Sequence, residues 1–150
     1  MIRAMEIPDV MSVIEIDKSV LNSNWTEVLY RTELLDLNTW AYVYELNSEV
    51  IGFIIAKFMG DTSDLLQIAV NVDYLHKGIG YEMLRYVWCK LREQGVESIL
   101  LEVFSGNKRA IEFYDKFGFE TVNIRKNYYG NGKDALLMKL KEDINDNMCD

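Results

Sequence analysis

The chain reads as an α+β (mixed α/β) fold, a mixed β-sheet covered by helices on its faces. Three observations carry that reading. Segments rich in β-branched and aromatic residues fill 40–46 and 50–59 on either side of Asn47-Ser48-Glu49, which is the pattern of a hairpin. From residue 65 onward strand-like and helix-like patterns alternate, so successive strands are joined by crossovers that pack helices on a sheet. The length, 150 residues with one proline and no Gly/Ser-rich stretch, suits one domain with its own core.

Each element has a local reason. Pro8 and Asp9 open a helical pattern in which Val10, Val13, Ile14 and Val20 recur at helix spacing. Thr26, followed by Glu27, starts a second helix carrying Leu29, Leu34 and Leu35. Beyond the hairpin, residues 65–72 form an apolar run of buried-strand type. Residues 81–94 place Leu84, Val87, Trp88 and Leu91 on one helical stripe, with Gly95 as the stop signal. Residues 98–104 read as a strand. Asn107 then caps a short helix with Ala110, Phe113, Tyr114 and Phe117 on one face and Gly118 at its end. Residues 119–125 and 135–140 close the sheet around the turn-rich loop Asn127-Tyr128-Tyr129-Gly130-Asn131-Gly132. The domain is therefore expected at 1–140, with 141–150 an acidic, disordered tail.

Composition excludes several classes. With 49% apolar and 27% charged residues the chain is neither disordered nor fibrous. No apolar run approaches the ~20 residues that span a bilayer, and no leader pattern opens the sequence, so a cytoplasmic protein without a membrane partner is expected. Cys89 and Cys149 lie far apart and fit neither a disulfide framework nor a zinc site. His76 is the sole histidine, so no metal site or nucleophilic triad is expected. Net charge is −8, of which the last ten residues supply −3. So acidic a body lacks the footprint of a nucleic-acid binder and leaves a basic or neutral partner, or a small anion held locally.

Chemistry concentrates in three places. His76-Lys77-Gly78-Ile79-Gly80-Tyr81 runs from a strand into a helix, and its glycines leave main-chain N–H groups open at a helix N-terminus, a natural anion site. The same residues also read as a plain turn. Met83 stands where a dinucleotide fingerprint has its third glycine, and no Gly-Lys-Ser/Thr follows, so neither nucleotide motif is present. Glu102 shares a strand face with Leu100 and Phe104, opposite Ile99, Leu101 and Val103. With helices on both sides, its carboxylate would be buried and pushed toward the range of a general base; at a wet strand end it would be ordinary. Tyr114 reads as a core aromatic or as a hydroxyl donor, and Asn107 as a cap or a ligand.

The strand with Leu101-Glu102-Val103, Asn107, and the block Ala110-Ile111-Glu112-Phe113-Tyr114-Asp115-Lys116-Phe117-Gly118-Phe119 resemble the GNAT superfamily of N-acetyltransferases. Together with Asn127-Tyr128-Tyr129 and Asp134-Ala135-Leu136-Leu137-Met138, they are most similar to its N-terminal branch, the ribosomal-protein alanine and N-alpha acetyltransferases. The resemblance runs nearly to Leu140. It implies a mostly antiparallel seven-stranded sheet with about four helices, and acetyl-CoA as cosubstrate without a metal. It places the pyrophosphate on residues 76–81, the pantetheine arm and thioester on Ile68, Ala69 and Val70, and a further cofactor contact on Asn107. Glu102 falls on the general-base position and Tyr114 on that of the acid for the departing thiolate. Asn24, Trp25, Tyr128 and Tyr129 match regions that flank the acceptor, a peptide or protein N-terminus with ribosomal proteins among the candidates; an auxiliary subunit is a further candidate partner. There are departures: Leu75 replaces the usual Gln or Arg, implying weaker cofactor binding, and the 24–25 loop lacks the common proline.

Direct attack of an amine on a thioester needs no activated Ser or Cys, in keeping with one histidine and scattered cysteines. An α-amine, with a reference pKa of ~8 against ~10.4 for lysine, costs roughly 3 kcal/mol less to deprotonate. A lone glutamate thus suits N-termini. A polyamine or lysine acceptor, a silent acyl-CoA-binding module, and a domain for another phosphorylated ligand are the alternatives.

Overall fold

The strands assemble as one seven-stranded sheet in a computed structural model that describes residues 1–143 and 147–149. The chain order is β1 (Ile2–Ala4), α1 (Val10–Ile16), α2 (Glu27–Leu34), β2 (Thr39–Leu46), β3 (Glu49–Met59), β4 (Thr62–Val70), α3 (Ile79–Glu93), β5 (Ser98–Phe104), α4 (Lys108–Phe117), β6 (Glu120–Arg125) and β7 (Ala135–Lys141). In space the strands run β1-β2-β3-β4-β5-β7-β6, and only β4 and β5 pair in parallel. The β2–β3 hairpin closes through Asn47 and Ser48, both left-handed, the two-residue turn whose twist matches its strands. Helix α3 makes the parallel crossover. Helix α4 carries the chain to the far edge, and β7 returns to fill the place between β5 and β6.

Two apolar layers hold the sheet. Helix α3 and the end of α4 bury Met83, Leu84, Val87, Trp88, Leu91 and Phe117 against Ile54, Ile99, Leu101, Val103 and Met138. On the other face α1 and α2 bury Val10, Val13, Ile16 and Tyr30 against Ala41, Val43, Phe53 and Ile55. This second layer stops at β4, so β5, β7 and β6 are uncovered on that side, and every residue of β6 is exposed. The expectation of helices over both faces of β5 is corrected here, with consequences for Glu102.

Three further points depart from the sequence reading. Strand β1 carries too short a pattern to be foreseen; Arg3, bonded to Asp9 and Glu45, ties it to the start of the helical layer. The first helix does not run straight through Val20: it widens into a π-helical turn at Asp17–Leu21 and stops at left-handed Asn22. Finally, Cys89 and Cys149 do form a disulfide, although their spacing carried no such signal. The tail doubles back along α3, with Arg92 paired to Glu142 and Arg85 Nε donating to the Met148 carbonyl. Of the expected tail, residues 141–143 and 147–149 are described, Lys141 as the last residue of β7; residues 144–146 and 150 lie outside the described residues.

Cross-linking residues 60 apart restricts the unfolded chain by about 4 kcal/mol on the chain-entropy account. Cys149→Ser, or reduction of the wild type, should lower the thermal midpoint by several degrees, read by circular dichroism, and non-reducing peptide mapping should recover the linked pair only in unreduced wild-type protein.

Candidate active site

The site begins with an irregularity in β4. Ala56 pairs with Leu65 and Ile55 with Gln67, so Leu66 is an extra residue in the strand. Pairing of β4 with β5 covers only Thr62↔Ser98 to Asp64↔Leu100, after which the two strands part. The remaining stretch of β4, with Ile68, Ala69 and Val70, pairs with β3 on one edge and with no strand on the other. The result is a wedge-shaped gap in the pairing of the sheet between β4 and β5.

On the α3/α4 face, the wedge meets the glycine corner. His76 at φ 62° and Gly78 at φ 78° are left-handed on either side of Lys77, a backbone alternation that turns N–H groups toward one side. Gly78 precedes α3 without a side-chain cap, and the first helical bond is Glu82 N–H to the Gly78 carbonyl. The N–H groups of Ile79, Gly80 and Tyr81 are left as open donors at the positive end of a 15-residue helix. Gly80 lies close to both neighbours: a Cβ there would sit 3.4 Å from the Phe113 ring and 3.8 Å from Val70 Cγ2, at ordinary contact distance. The start of α3, the end of β4 and helix α4 therefore converge. Met83, in place of a third glycine, packs its thioether over Gly52 in the core, with Cε 3.1 Å from where a Gly52 Cβ would lie.

Helix α4 supplies Tyr114, whose ring meets Phe113 and Phe119 edge-on at 5.4 and 5.5 Å. Both readings of this residue hold in part, since the ring is packed among core aromatics but no protein group hydrogen-bonds its hydroxyl. Among the described residues no buried side-chain N or O lacks a partner, so that hydroxyl reaches accessible space. Burial pushes its pKa up to about 12, leaving it a protonated donor at neutral pH. Asn107 caps α4 by accepting from Ala110 N–H at 3.2 Å, which leaves its amide NH2 free.

The opposite face holds Glu102. The expectation of a buried carboxylate is corrected: the side chain is 28% accessible, because no helix reaches β5 on this side, and its Oε1 lies 3.0 Å from Arg125 Nη1. Arg125 in turn lies over the Tyr128 ring at 5.6 Å. Tyr129 packs edge-on against Phe104 and Tyr128, and its pKa is raised by partial burial and by the Glu102 charge. The loop bearing the two tyrosines is internally braced, with Asn127 Oδ1 accepting from Gly132 N–H and Asp134 Oδ1 from Asn127 N–H.

Across the wedge, Asn24 is exposed and Trp25 meets Tyr30 in a tilted ring contact at 4.8 Å, held beside β4 by bonds from Gln67 to Ser23 and Tyr30. Sequence reasoning missed Arg125 and Phe104. The alternation along β5 contained Phe104, but pairing Arg125 with Glu102 needs the strand order, which no local pattern reveals. Two shallow cavities lie elsewhere, under the β2–β3 turn and beside the disulfide.

Residues 10–119 match the Acetyltransferase (GNAT) family. The chain belongs to this family. An N-alpha-acetyltransferase of Sulfurisphaera tokodaii is 31% identical, covering 91% of this chain and 90% of that protein. The [ribosomal protein bS18]-alanine N-acetyltransferase of Escherichia coli K12 is 35% identical over 63% of this chain and 66% of its own. The crystal structure of the ribosomal-protein-S18-alanine N-acetyltransferase from Escherichia coli superposes with a TM-score of 0.86 at 26% identity, covering 98% and 96% of the two chains. PaiA N-acetyltransferase from Thermoplasma acidophilum, solved with coenzyme A, shares the fold at 22% identity and a TM-score of 0.78, with 95% and 98% covered.

Any side chain at Gly78 meets open space, so a substitution acts only through the left-handed backbone. Gly78→Ala carries a conformational cost of about 1–2 kcal/mol in the cradle geometry. It should lower the heat-unfolding midpoint by a few degrees, and, to the extent that the corner escapes the strain by leaving this geometry, weaken coenzyme A binding by up to about tenfold in calorimetry.

Proposed function

We propose that this GNAT-family acetyltransferase moves the acetyl group of acetyl-CoA onto the α-amino group of a protein N-terminus. The observation that carries the proposal is the wedge between β4 and β5. One of its faces offers main-chain donors at His76, Lys77, Gly78, Ile79, Gly80 and Tyr81 for a diphosphate, and the other offers Glu102 on an open surface. Ile68, Ala69 and Val70 would take the pantetheine arm along their open edge and polarise the thioester carbonyl with main-chain N–H. Asn107, with its free amide NH2, would add a contact to the same arm.

In this reading the neutral amine attacks the thioester carbon, the C–S bond breaks, and the acetyl group passes directly to nitrogen. Glu102 takes the proton the amine gives up, directly or through water, and the Tyr114 hydroxyl protonates the departing sulfur. The acceptor enters from the Glu102 face, flanked by Asn24 and Trp25 on the β4 side and by Tyr128 and Tyr129 on the β5 side. Tyr128 and Tyr129 are 53% and 46% exposed, so their loop leaves that entry open. An open entry favours a peptide over a small polyamine. Similarity to the N-terminal acetyltransferases named above supports the same choice.

Glu102→Gln and Tyr114→Phe should each lower kcat by about a hundredfold on an N-terminal peptide, with acetyl-CoA binding retained. Wild-type rates in both would overturn these roles. Because burial raises the Tyr114 pKa to about 12, its proton is kept well above the ordinary tyrosine range. The wild-type kcat should therefore show no loss from tyrosine ionisation until the pH passes 11 or so, roughly one unit above the reference value. A fall centred at the ordinary tyrosine pKa that Tyr114→Phe abolishes would contradict this.

A further inference from the structure

We infer that Arg125 determines acceptor specificity, favouring N-termini with an acidic side chain one or two residues after the reactive amine. The inference rests on the N-terminal acceptor reading and names the substrate class within it. Three features of Arg125 carry it. Its Nη1 is 3.0 Å from Glu102 Oε1, so the candidate base holds a counter-cation before any acceptor arrives. Its guanidinium lies over the Tyr128 ring at 5.6 Å, which engages the flat face of the group and leaves the edge N–H donors for other partners. And its side chain is 51% accessible, on the same face of the sheet as Phe104 and Glu102 of β5, in the part that no helix covers.

An acceptor ammonium drawn to Glu102 meets a carboxylate already paired with a fixed cation. Two positive groups beside one carboxylate repel. A carboxylate from the acceptor removes the conflict, because the planar fork of an arginine accommodates it bidentately while Glu102 turns to the amine. The distances are compatible. An amine ~3 Å from Glu102 and a carboxylate ~3 Å beyond the guanidinium are separated by about 6–8 Å, within reach of an Asp or Glu at the second or third position. No other described acidic side chain is ion-paired to Arg125. The surroundings add to the effect: residues 107–141 hold eight of the 16 basic side chains but only four of the 24 acidic ones. A basic second residue would meet the same guanidinium as repulsion.

The test is steady-state acetylation of matched peptides that differ only in Asp, Ala or Lys at the second position, with lysine and spermidine as control amines. Wild-type kcat/KM should favour Asp over Lys by about tenfold or more, with acetyl-CoA KM unchanged. Arg125→Gln should bring the ratio near one, and Arg125→Lys, which keeps the charge and loses the fork, should restore only part of it, a graded rescue that a merely structural role would not show. Raising the salt should shrink the wild-type ratio without any substitution, which keeps the test valid if a variant fails to fold. Equal rates on the Asp and Lys peptides, a preference for Lys, or an unchanged ratio in Arg125→Gln would overturn the inference while leaving the N-terminal reading intact. Turnover of spermidine or lysine with none of the peptides would instead overturn that reading, and this inference with it.

Discussion

One residue too many in β4 sets the terms for everything else. Up to Asp64 the strand satisfies both neighbours, pairing with β3 on one edge and β5 on the other. Leu66 then has no counterpart in β3, and from there β4 follows β3 and leaves β5. A bulge of this kind bends its strand and ends pairing on one side, and the main-chain groups along the abandoned edge must find water or a ligand. The gap is also where groups on the two sheet faces come near one another. Below it stand the open donors of α3 and the hydroxyl of Tyr114; above it stands Glu102. Had β4 and β5 stayed paired to Val70 and Phe104, the same side chains would be on opposite sides of a closed sheet.

The bend is braced from the α1/α2 side. Gln67, next to the extra residue, donates to Ser23 Oγ at 3.0 Å and to the Tyr30 hydroxyl at 3.4 Å. Both of those groups donate to Asp17, which is 3% exposed and also receives the Ser23 N–H. A carboxylate so deep is tolerable only when its oxygens are fully bonded, and here they hold the loop bearing Asn24 and Trp25 against β4. Asp17 itself lies at the start of the π-helical turn, whose closing bond runs from Asn22 N–H to the Asp17 carbonyl. The widened turn and the bulge thus share one hydrogen-bond network, which ties the loop bearing Asn24 and Trp25 to β4.

Local patterns announced the elements whose reasons are local. The stripe of Leu84, Val87, Trp88 and Leu91 is the buried face of α3, and Asn107 caps α4 through the Ala110 N–H as its position implied. The alternation along β5 correctly separated Glu102, Leu100 and Phe104 from Ile99, Leu101 and Val103. What alternation cannot say is which layer covers a face. The α1/α2 layer ends at β4, and that fact about packing turned an expected buried acid into an exposed one. Strand order was equally out of reach. Arg125 stands beside Glu102 only because β7, the last strand in the chain, lies between β5 and β6, a long-range pairing with no local signal. The disulfide needed a third such fact, the return of the tail along α3.

The division between a covered and an uncovered face has a chemical logic for the proposed transfer. A general acid must keep its proton until the sulfur leaves, which favours a hydroxyl set among Phe113 and Phe119, where burial raises its pKa. A base that collects a proton at every turnover must pass it on, which favours a carboxylate in contact with water. Burying Glu102 as deeply as Asp17 would have demanded a full set of donors to stabilise it, and those donors would have competed with the amine. One exposed ion pair to a stacked arginine is a milder arrangement: it orients the carboxylate, leaves its second oxygen for the acceptor, and yields to a better-matched partner. The missing helical layer over β5, β6 and β7 is therefore what would give the acceptor of the proposed transfer access to Glu102.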